Sequence, residues 1–462
     1  MENIQSGDSW VVTEFAQAQL SDPRRTQRLI EIATVLASQP QASFPVACGD
    51  KPMLKATYRF FDNDQIDPAE ILFSHTTATS DRISAFSSVL AIQDTTELNF
   101  SHHPATKELG PLSGGNATGF LAHTTLAMTR QRVPLGIIAQ RVWARDANDV
   151  GKKARRKTTP IENKESYKWI TGLEAVIELS CDHPDTHFLN IADRESDVYD
   201  LFCKNRPANV DLLIRAAWNR CVFHPEKYLW SLVQCQPVAT TLNLEIPRRG
   251  AVPAREAHLQ VRFCSLWLCP PKHRKAEKLP KLKVFAVYAV ETQPPLGIEP
   301  IEWLLLTTLE VSTVCAAVDK IDCYACRWGI EVLHKVLKSG CRIEDRQLQT
   351  GQRLHRSLAV FTVIAWRIMY ATMLGRALPD APCTAILDPH EWQALFCRIH
   401  HTQTLPQQIP TLRQAVGWIA QLGGFLARCS DGEPGVTVLW KGFTALTHLT
   451  TMYRILRPPL PK

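Results

Sequence analysis

The chain has 462 residues, of which 45% are apolar and 21% are charged, so it carries enough apolar side chains for a substantial core. This composition excludes disorder or a coiled coil as a description of the whole chain, and the length corresponds to about three domains. Lysine and arginine exceed aspartate and glutamate by 52 to 45, a net charge of +7 that permits a polyanionic partner.

Three features bear on where the chain is found. The longest apolar stretch, Leu358 to Leu374, contains Arg367 and falls short of the roughly 20 apolar residues of a membrane-spanning helix, so we predict a core helix. The start, MENIQSGDSW, lacks the basic tip and apolar stretch of a signal peptide. The 14 cysteines are scattered, as is typical of reduced thiols. We therefore expect a cytoplasmic protein.

The first part of the chain, residues 1–75, lacks strand alternation and is predicted to be a helical domain. One helix is predicted over Ser9 to Gln19, and a second begins after Asp22, which caps it, with Pro23 in the first helical position. Apolar residues then recur at helical spacing and predict one buried face: Leu29, Ile32, Val35 and Leu36.

Two basic clusters occur in this helical region. In the first, three arginines follow the predicted cap: Arg24, Arg25 and Arg28. Cations at a helix start oppose the helix dipole, so a phosphate partner is one explanation for them. In the second, cations and an aromatic ring share a face: Lys51, Lys55, Tyr58 and Arg59. For either cluster alone, a solvated helix face is an equally good interpretation.

From residue 87 the periodicity changes from helix to strand. The order β-β-β-α-β-α-β is predicted from SSVLAIQD, HTTLAMTR, PLGIIAQRVW, the helix Ser166–Cys181, THFLNIAD, the helix Val198–Cys203, and DLLIRAAW. The first and fourth of these strands are predicted to end at Asp94 and Asp193. The pattern indicates an α/β fold with a mixed sheet flanked by helices.

The rest of the chain is predicted to have three parts. Between about residues 220 and 308, four segments predict a strand-rich insertion or subdomain: TTLNLEIP, HLQVRFCSLWL, KVFAVYAV and IEWLLLTT. Within it, residues 271–283 hold six lysines or arginines, one acid and two prolines, which predicts a loop. After Val311 we predict helices, then an irregular region over Pro379–Pro410, then two final helices over Thr411–Leu426 and Thr437–Leu456.

Two of the predicted strands end in an aspartate, Asp94 and Asp193. Carboxylates at the ends of buried strands are well placed to share a divalent cation. An aspartate also caps turns and helices, which alone explains either residue. The same arrangement occurs twice, which favours the functional interpretation.

A third candidate acid, Glu331, lies in the helix predicted over residues 319–340. At about 100 degrees per residue, one helix face carries a carboxylate, three cations and a phenol: Tyr324, Arg327, Glu331, Lys335 and Lys338. The opposite face is apolar and is predicted to pack on the core: Cys326, Ile330, Leu333, Val336 and Leu337. A charged face of this kind is also typical of a solvated, salt-bridged helix.

Three carboxylates from separate parts of the chain, with cations beside one of them, are suited to the cleavage and joining of phosphodiester bonds. Two divalent ions about 3.5 to 4 Å apart can assist an in-line displacement at phosphorus. Mg²⁺ prefers such all-oxygen ligands. We therefore expect Asp94, Asp193 and Glu331 to hold two Mg²⁺ ions, with Mn²⁺ able to replace them.

The spacing Y-x2-R-x3-E-x6-K, formed by Tyr324, Arg327, Glu331 and Lys338, resembles the motif of DDE transposases in the fourth bacterial insertion-sequence family, Tn-five type. Further segments are similar to family segments in the same order: SDPRRTQRL, QDTTEL, ADRESDVYDLF, EWLLLTT and GWIAQLGGFLARCSDG. The resemblance covers nearly the whole chain.

This resemblance implies a fold and an activity. The fold is a ribonuclease H-like catalytic domain over residues 76–370 that contains the strand-rich insertion, followed by a helical dimerisation domain over residues 371–462. The metal-binding acids are Asp94, Asp193 and Glu331. The activity is cut-and-paste transposition of double-stranded DNA by nicking, hairpin formation and strand transfer, carried out by a homodimer that holds two element ends.

The resemblance also implies DNA contacts. Around the cleaved end these are Tyr324, Arg327, Lys335, Lys338 and Arg215. Trp303 matches a position whose indole stacks on a flipped base, although a tryptophan in an apolar strand is usually a core residue. The helical domain at residues 1–75 is implied to bind the inverted repeat at the element end through Arg24, Arg25, Arg28, Lys55, Tyr58 and Arg59.

Two other functions remain open. One is a catalytically silent or domesticated relative that only binds DNA, and the other is a ribonuclease H-like nuclease without strand transfer. Nicking of end-containing DNA in Mg²⁺ excludes the first of these functions. A joined product in the same assay excludes the second.

Overall fold

The computed structural model describes residues 9–113, 115–149, 159–246, 254–428 and 431–456. Three pieces of the predicted segments lie outside these residues: the start MENIQSGD, the last residue of TTLNLEIP, and residues 429–430 of the carboxy-terminal segment.

Five helices form the amino-terminal part of the described chain. They are α1 (Trp10–Phe15), α2 (Pro23–Ser38), α3 (Phe44–Cys48), α4 (Lys51–Asp62) and α5 (Pro68–Ile83). The predicted start of α2 is confirmed, because the Asp22 carboxylate accepts a hydrogen bond from the Arg24 amide and Pro23 is the first helical residue. Leu29, Ile32 and Leu36 are fully buried, as predicted.

Ten strands in the described part of the chain form one mixed sheet. They are β1 (Ser88–Asn99), β2 (Gly110–Pro111), β3 (Thr118–Met128), β4 (Pro134–Trp143), β5 (His187–Ala192), β6 (Val210–Arg215), β7 (Thr240–Ile246), β8 (Arg255–Leu268), β9 (Leu282–Glu291) and β10 (Glu302–Thr307). The helices between them are α6 (Tyr167–Cys181), α7 (Tyr199–Cys203) and α8 (Leu229–Gln234). The predicted order β-β-β-α-β-α-β is confirmed, with the short β2 added.

The sheet has both strand orientations. Its order is β2-β3-β1-β5-β6-β10-β9-β8-β7, and β4 pairs with β3. Strands β1, β3 and β4 are antiparallel neighbours, whereas β5 and β6 run parallel to β1. The prediction that β1 ends at Asp94 is wrong: β1 continues to Asn99, because the antiparallel ladder to β3 extends to the pair Asn99 and Gly119.

The strand-rich insertion continues this sheet. Strand β10 pairs with β6, and β9, β8 and β7 follow outward, so these strands do not form a separate sheet. Helix α8 was not predicted. The basic tract at residues 271–283 is only partly the predicted loop, since Lys272–Glu277 form short 3-10 turns and Leu282 already belongs to β9.

The carboxy-terminal half of the described chain is helical after Val311, as predicted. Its helices are α9 (Val314–Ala325), α10 (Trp328–Lys335), α11 (Gly351–Ala377), α12 (Pro389–His400), α13 (Leu412–Leu422) and α14 (Val436–Leu456). The prediction of an irregular region over Pro379–Pro410 is wrong in its centre. There Pro389 begins α12, and Asp388 and Glu391 form a capping box at its start.

Helix α11 contains the apolar stretch predicted to be a core helix. By length and composition it is the one helix in the described residues that could cross a membrane, yet 83% of its most apolar window is buried inside the protein. Its indole at Trp366 donates a hydrogen bond to the Pro134 carbonyl of β4. This burial is that of a core helix.

Alternate residues of the sheet enter two cores on its two faces. In β1, Leu90 and Ile92 join the core that contains α10 and α11, whereas Val89 and Ala91 join the core beneath α6. In β5, Ile191 belongs to the first of these cores and Ala192 to the second. This alternation decides which face of the sheet each polar residue at the strand ends occupies.

Candidate active site

Asp94 and Asp193 lie side by side at one end of the two central parallel strands. The last register pair of β1 and β5 joins Ile92 to Ile191, and both aspartates follow two residues later. Since side chains alternate, both carboxylates share the face of Ile92 and Ile191. The backbone amide of Thr95 donates to Asp94 (2.8 Å), and that of Glu195 donates to Asp193 (2.9 Å).

Glu331 reaches the same face of the sheet from α10. The Arg327 guanidinium lies between two carboxylates: it donates to Glu331 at 2.6 Å and to Asp94 at 3.3 Å. The side chains of Arg327 and Asp94 are 14% and 17% exposed, so this ion pair is largely removed from water. The arginine thus ties the helix acid to the strand acid.

The charges of Asp193 and Glu331 both act on Asp94. Burial raises the pKa of Asp94, Arg327 lowers it, and the carboxylates of Asp193 and Glu331 raise it again, giving a pKa of about 6. An aspartate surrounded by other acids holds its proton more tightly because a second and third negative charge nearby are costly. Asp94 therefore lies where negative charge accumulates and where a cation would be favoured.

The helix predicted over residues 319–340 is interrupted. Helix α9 ends at Ala325, α10 begins at Trp328, and Val336–Gly340 form a π-helical turn. The predicted apolar face is confirmed, because its five residues are at most 5% exposed: Cys326, Ile330, Leu333, Val336 and Leu337. The two backbone irregularities lie on either side of Glu331, and π-turns are frequent at functional sites.

Tyr324 does not lie on a solvent-facing stripe. It is 4% exposed, because the Trp303 ring packs against it with centroids 5.1 Å apart and the Arg215 guanidinium lies beside the phenol. Burial raises its pKa, and Arg327 and Arg215 lower it. Arg215 also donates to the Glu302 carbonyl at 2.8 Å. The structure thus brings the predicted residues Tyr324, Trp303 and Arg215 together next to Arg327.

The two lysines of the motif helix differ in their surroundings. Lys335 is exposed. Lys338 donates to the backbone carbonyl of Glu97, three residues after Asp94 on β1, and its ammonium lies 3.7 Å from the Glu344 carboxylate. Lys338 therefore holds the helix to the strand that carries Asp94, in addition to any contact with DNA.

The donor atoms of the three acids determine which metal ion they could hold. Among the described residues, no three His, Cys, Asp or Glu side chains are close enough together to hold an ion. The donor set is nevertheless three carboxylates, which suits Mg²⁺, and the charges of Asp193 and Glu331 both raise the pKa of Asp94. In the arrangement observed, Arg327 supplies that charge for Asp94 and Glu331.

The first amino-terminal cluster is only partly free to meet a partner. Arg24 has a side chain 92% exposed and pairs with Asp22 at 3.2 Å. Arg25 donates to the Leu20 carbonyl, and Arg28 pairs with Glu31 at 2.7 Å. The structure thus places the three arginines along the start of α2, each with a protein partner.

The second cluster lines a groove of about 700 Å³. One wall is α4, from which Lys55, Tyr58 and Arg59 are exposed, and the other is formed by Gln347, Gln349 and neighbouring residues up to Arg353. Arg353 also pairs with Asp62 across this groove. The groove therefore lies between the amino-terminal helices and the segment that follows the motif helix.

Sequence reasoning missed several buried polar residues that position these parts. Two buried arginines join the amino-terminal helices to the motif region: Arg346 donates to the carbonyls of Pro40 and Ala42, and Arg356 donates to those of Phe61 and Ile66. Beneath the acids, Gln93 contacts both His123 (2.9 Å) and Asn190 (2.6 Å). A polar residue in an apolar strand or helix was the available signal, but its partners could not be read from the sequence.

Two matches with protein families agree with this arrangement. Residues 7–66, which contain α1 to α4 and both basic clusters, match the model described as Transposase DNA-binding. Residues 363–457, which contain the end of α11 and the helices α12 to α14, match the model described as Transposase Tn5 dimerisation domain.

A chain with these two terminal domains around a mixed sheet is a DNA transposase. More narrowly, the two matches support a transposase of the Tn5 type. It binds DNA through its amino-terminal domain and forms a homodimer through its carboxy-terminal domain. The two matches imply an enzyme that cleaves and transesterifies DNA, and Tn5-type transposases generally use divalent metals.

Proposed function

We propose that this transposase works by a cut-and-paste mechanism in which Asp94, Asp193 and Glu331 are the catalytic acids. The observation that carries the proposal is the placement of Asp94 and Asp193 on one face of adjacent parallel strands, with Glu331 brought to that face by Arg327. Folding does not require that acids from three separated parts of the chain share one face of the sheet, since burying like charges is costly.

The catalytic domain in this proposal is ribonuclease H-like and spans residues 76–370. Its support is the order β4-β3-β1-β5-β6, three antiparallel strands followed by two that are parallel to β1. We assign residues 1–75 to the domain that binds the element end and residues 371–462 to the dimerisation domain. We place the activity in the cytoplasm, where the chromosomal DNA lies.

The three carboxylates would hold two Mg²⁺ ions, or Mn²⁺ in their place. Bound there, the metal ions would activate the attacking oxygen and stabilise the leaving oxygen of an in-line displacement. Arg327, freed from Glu331 and Asp94, has the planar donor geometry for a phosphate group. Lys335 and Lys338 would add charge along the same backbone, and Tyr324, Arg215 and Trp303 would contact the nucleotides at the cleaved end.

The reaction would have four steps, two hydrolyses of a phosphodiester bond and two transesterifications. Water attacks the phosphate at the element end and releases a 3′-OH. This hydroxyl attacks the opposite strand, which closes a hairpin and frees the flanking DNA, and a second water then reopens the hairpin. The 3′-OH finally attacks a phosphodiester of the target, forming one new bond for each bond broken.

Recognition of the element end would involve two basic surfaces. The groove between α4 and residues 347–353 presents Lys55, Tyr58 and Arg59 to a DNA backbone. The start of α2 presents Arg24, Arg25 and Arg28, whose present partners are surface carboxylates, the Leu20 carbonyl and the Gln65 side chain, all of which a phosphate can replace.

The test is a DNA cleavage and joining assay with the purified protein. The substrate is a plasmid that carries the gene with its own flanking DNA, incubated with a second plasmid as target in the presence or absence of Mg²⁺. We expect Mg²⁺-dependent cuts at paired inverted repeats and a joined product. Binding without cuts would identify a silent DNA-binding relative, and cuts without joining would identify a nuclease.

A further inference from the structure

Large aromatic side chains are exposed on one part of the insertion. Trp218 is 64% exposed, Phe223 67% and Trp267 46%. Phe223 and Trp267 are adjacent, because the Phe223 amide donates to the Trp267 carbonyl at 2.9 Å. We name these three residues the aromatic ridge. Exposed aromatic groups of this size have an energetic cost in water and mark interaction sites.

A lysine contacts the aromatic ridge, and further lysines belong to the same basic tract. The ammonium of Lys281 lies 3.4 Å from the centroid of the Phe223 ring, which is a close cation–π contact. Three further exposed lysines belong to the same basic tract: Lys272, Lys278 and Lys283. The one acid of that tract, Glu277, is paired with Arg274 at 2.6 Å. Aromatic faces among unneutralised cations are complementary to the bases and phosphates of DNA.

The aromatic ridge is rigidly attached to the segment that follows Asp193. The buried carboxylate of Asp197 accepts hydrogen bonds from the amides of Ala217 (2.8 Å) and Trp218 (3.0 Å) and pairs with Arg220 at 2.6 Å. Because Asp197 is four residues beyond Asp193, these hydrogen bonds tie the backbone at Trp218 to the segment that carries Asp193.

The basic tract is attached to the same segment. The Tyr199 hydroxyl donates to the Pro280 carbonyl at 2.7 Å, and Arg274 pairs with Asp200 at 2.6 Å. Residues 197–200 thus anchor both the loop of Trp218 and the lysines near Phe223. The Asp197 carboxylate that holds the Trp218 backbone is buried, whereas the Trp218 indole is exposed to water. Packing in the core therefore does not explain a tryptophan at this position.

The aromatic ridge and the groove of α4 lie on opposite sides of the acids. The groove wall at residues 347–353 pairs with Lys107, just before the edge strand β2. The ridge lies beyond β6, where Val222 pairs with Leu268 at the end of β8. In the sheet order, β1 and β5, which carry the two aspartates, lie between these positions.

We propose that the aromatic ridge and its lysines bind the target duplex during strand transfer. The inference rests on the proposed function, because a strand-transfer enzyme must hold a second duplex while the first occupies the end-binding surfaces. The charge of the tract identifies the occupant as DNA, and the position beside Asp193 brings a phosphodiester of that DNA near the acids. Aromatic stacking on a base step would also favour a bent target.

The test separates end cleavage from joining. One assay measures cleavage at the element end. The other supplies the precut end with its 3′-OH and measures joining to a supercoiled plasmid. The variants are Trp218→Ala, Phe223→Ala and Lys281→Ala, and the control is Phe73→Ala, which removes an aromatic side chain of 40% exposure from α5.

We expect Trp218→Ala to lower joining about tenfold, which is the effect of losing one stacked base. Cleavage should fall less than twofold, Trp218→Phe should restore most of the joining, and Phe73→Ala should join normally. Joining at the wild-type rate by Trp218→Ala, Phe223→Ala and Lys281→Ala would overturn the inference. An equal fall in cleavage would also overturn it, because the ridge would then bind the DNA of the element end and not the target DNA.

Failure of the ridge and failure of the proposed function give different results. If wild-type protein neither cuts nor joins DNA, the proposed function fails whatever the variants do. If wild-type protein joins and the ridge variants join equally well, only this inference fails. Should Trp218→Ala lower the melting temperature, Phe223→Ala and Lys281→Ala decide the matter, because their exposed side chains are not needed for the Asp197 contacts.

Discussion

The guanidinium of Arg327 lies 3.3 Å from the carboxylate of Asp94, although the two residues are 233 positions apart in the chain. The same guanidinium donates to Glu331, so one cation neutralises two of the three proposed catalytic acids. In the proposed function, metal ions would bind the carboxylates of Asp94 and Glu331, and a DNA phosphate would bind Arg327 in their place.

Arg327→Ala should therefore make the protein more dependent on metal for its stability. In a chelating buffer, we expect unfolding to become about 1–3 kcal/mol easier, because two partly buried carboxylates lose their partner. Mg²⁺ should raise the melting temperature of this variant more than that of the wild type. Arg327→Lys, which keeps the charge, is the control. Equal effects of Mg²⁺ on all three proteins would contradict this interpretation of Arg327.

Asp94→Asn should stabilise the metal-free protein while abolishing cleavage. The pKa of Asp94 is raised from 3.8 to about 6, so the folded protein binds an extra proton in this window and stability falls as pH rises through it. Removing the charge should gain about 1–2 kcal/mol at pH 7. Thermal melts in chelator at pH 4 and pH 7 measure this, with the exposed Asp81→Asn as control. If Asp94→Asn were less stable than wild type at pH 7, the pKa of Asp94 would not be raised in the folded protein.

Lys335 and Lys338 should separate DNA binding from stability. Lys335→Ala should reduce the salt dependence of end binding by about one counterion without changing the melting temperature, since Lys335 is exposed. Lys338→Ala should also destabilise the fold by about 1 kcal/mol, because its hydrogen bond to the Glu97 carbonyl is lost. Binding titrations at several salt concentrations and urea melts measure the two effects. Identical behaviour of the two variants would contradict the structure.

Glu14 should stabilise the attachment of the first helix. Burial raises the pKa of Glu14, but the nearby His75 (2.6 Å) and Arg82 (2.7 Å) together lower it by more, so that the pKa is about 2. The folded-state pKa is depressed from 4.5, so this stabilisation is present above that pH and is lost as pH falls towards about 2. We expect Glu14→Gln to cost about 3 kcal/mol at pH 7.

This cost should shrink when the melts are repeated below about pH 4.5, where wild-type Glu14 begins to lose its charge advantage. The exposed Glu178→Gln should show no comparable loss at either pH. A cost for Glu14→Gln that does not vary with pH would show that packing, and not the charge, is what Glu14 contributes.

Local signals in the sequence predicted much of the fold. Asp22 and Pro23 specify the start of α2 by themselves, and the apolar strand β5 ends directly before Asp193, as its sequence indicates. The extension of β1 to Asn99 could not be predicted in this way, because it depends on pairing with β3. Helix α12 has a local start signal in Asp388 and Pro389, but the many prolines of the region favour an irregular structure when a single sequence is considered.

The sequence predicted which residues belong to the candidate site, but not which of them contact one another. The helical spacing of Arg327 and Glu331 placed them on one face, yet the ion pair of Arg327 with Asp94 arises only when α10 packs on the sheet. Tyr324 was expected at the surface, and Trp303 from a distant strand covers it. Such contacts join separated segments, and a single sequence carries no local signal for them.

The most direct test of the central claim is the rate of Mg²⁺-dependent end cleavage by Asp94→Asn, Asp193→Asn and Glu331→Gln, each measured beside its affinity for end DNA. If the three acids act together on one metal site, each change lowers cleavage by about a thousandfold or more while DNA affinity stays within about twofold. Cleavage at the wild-type rate by any one of the three folded variants would contradict the claim.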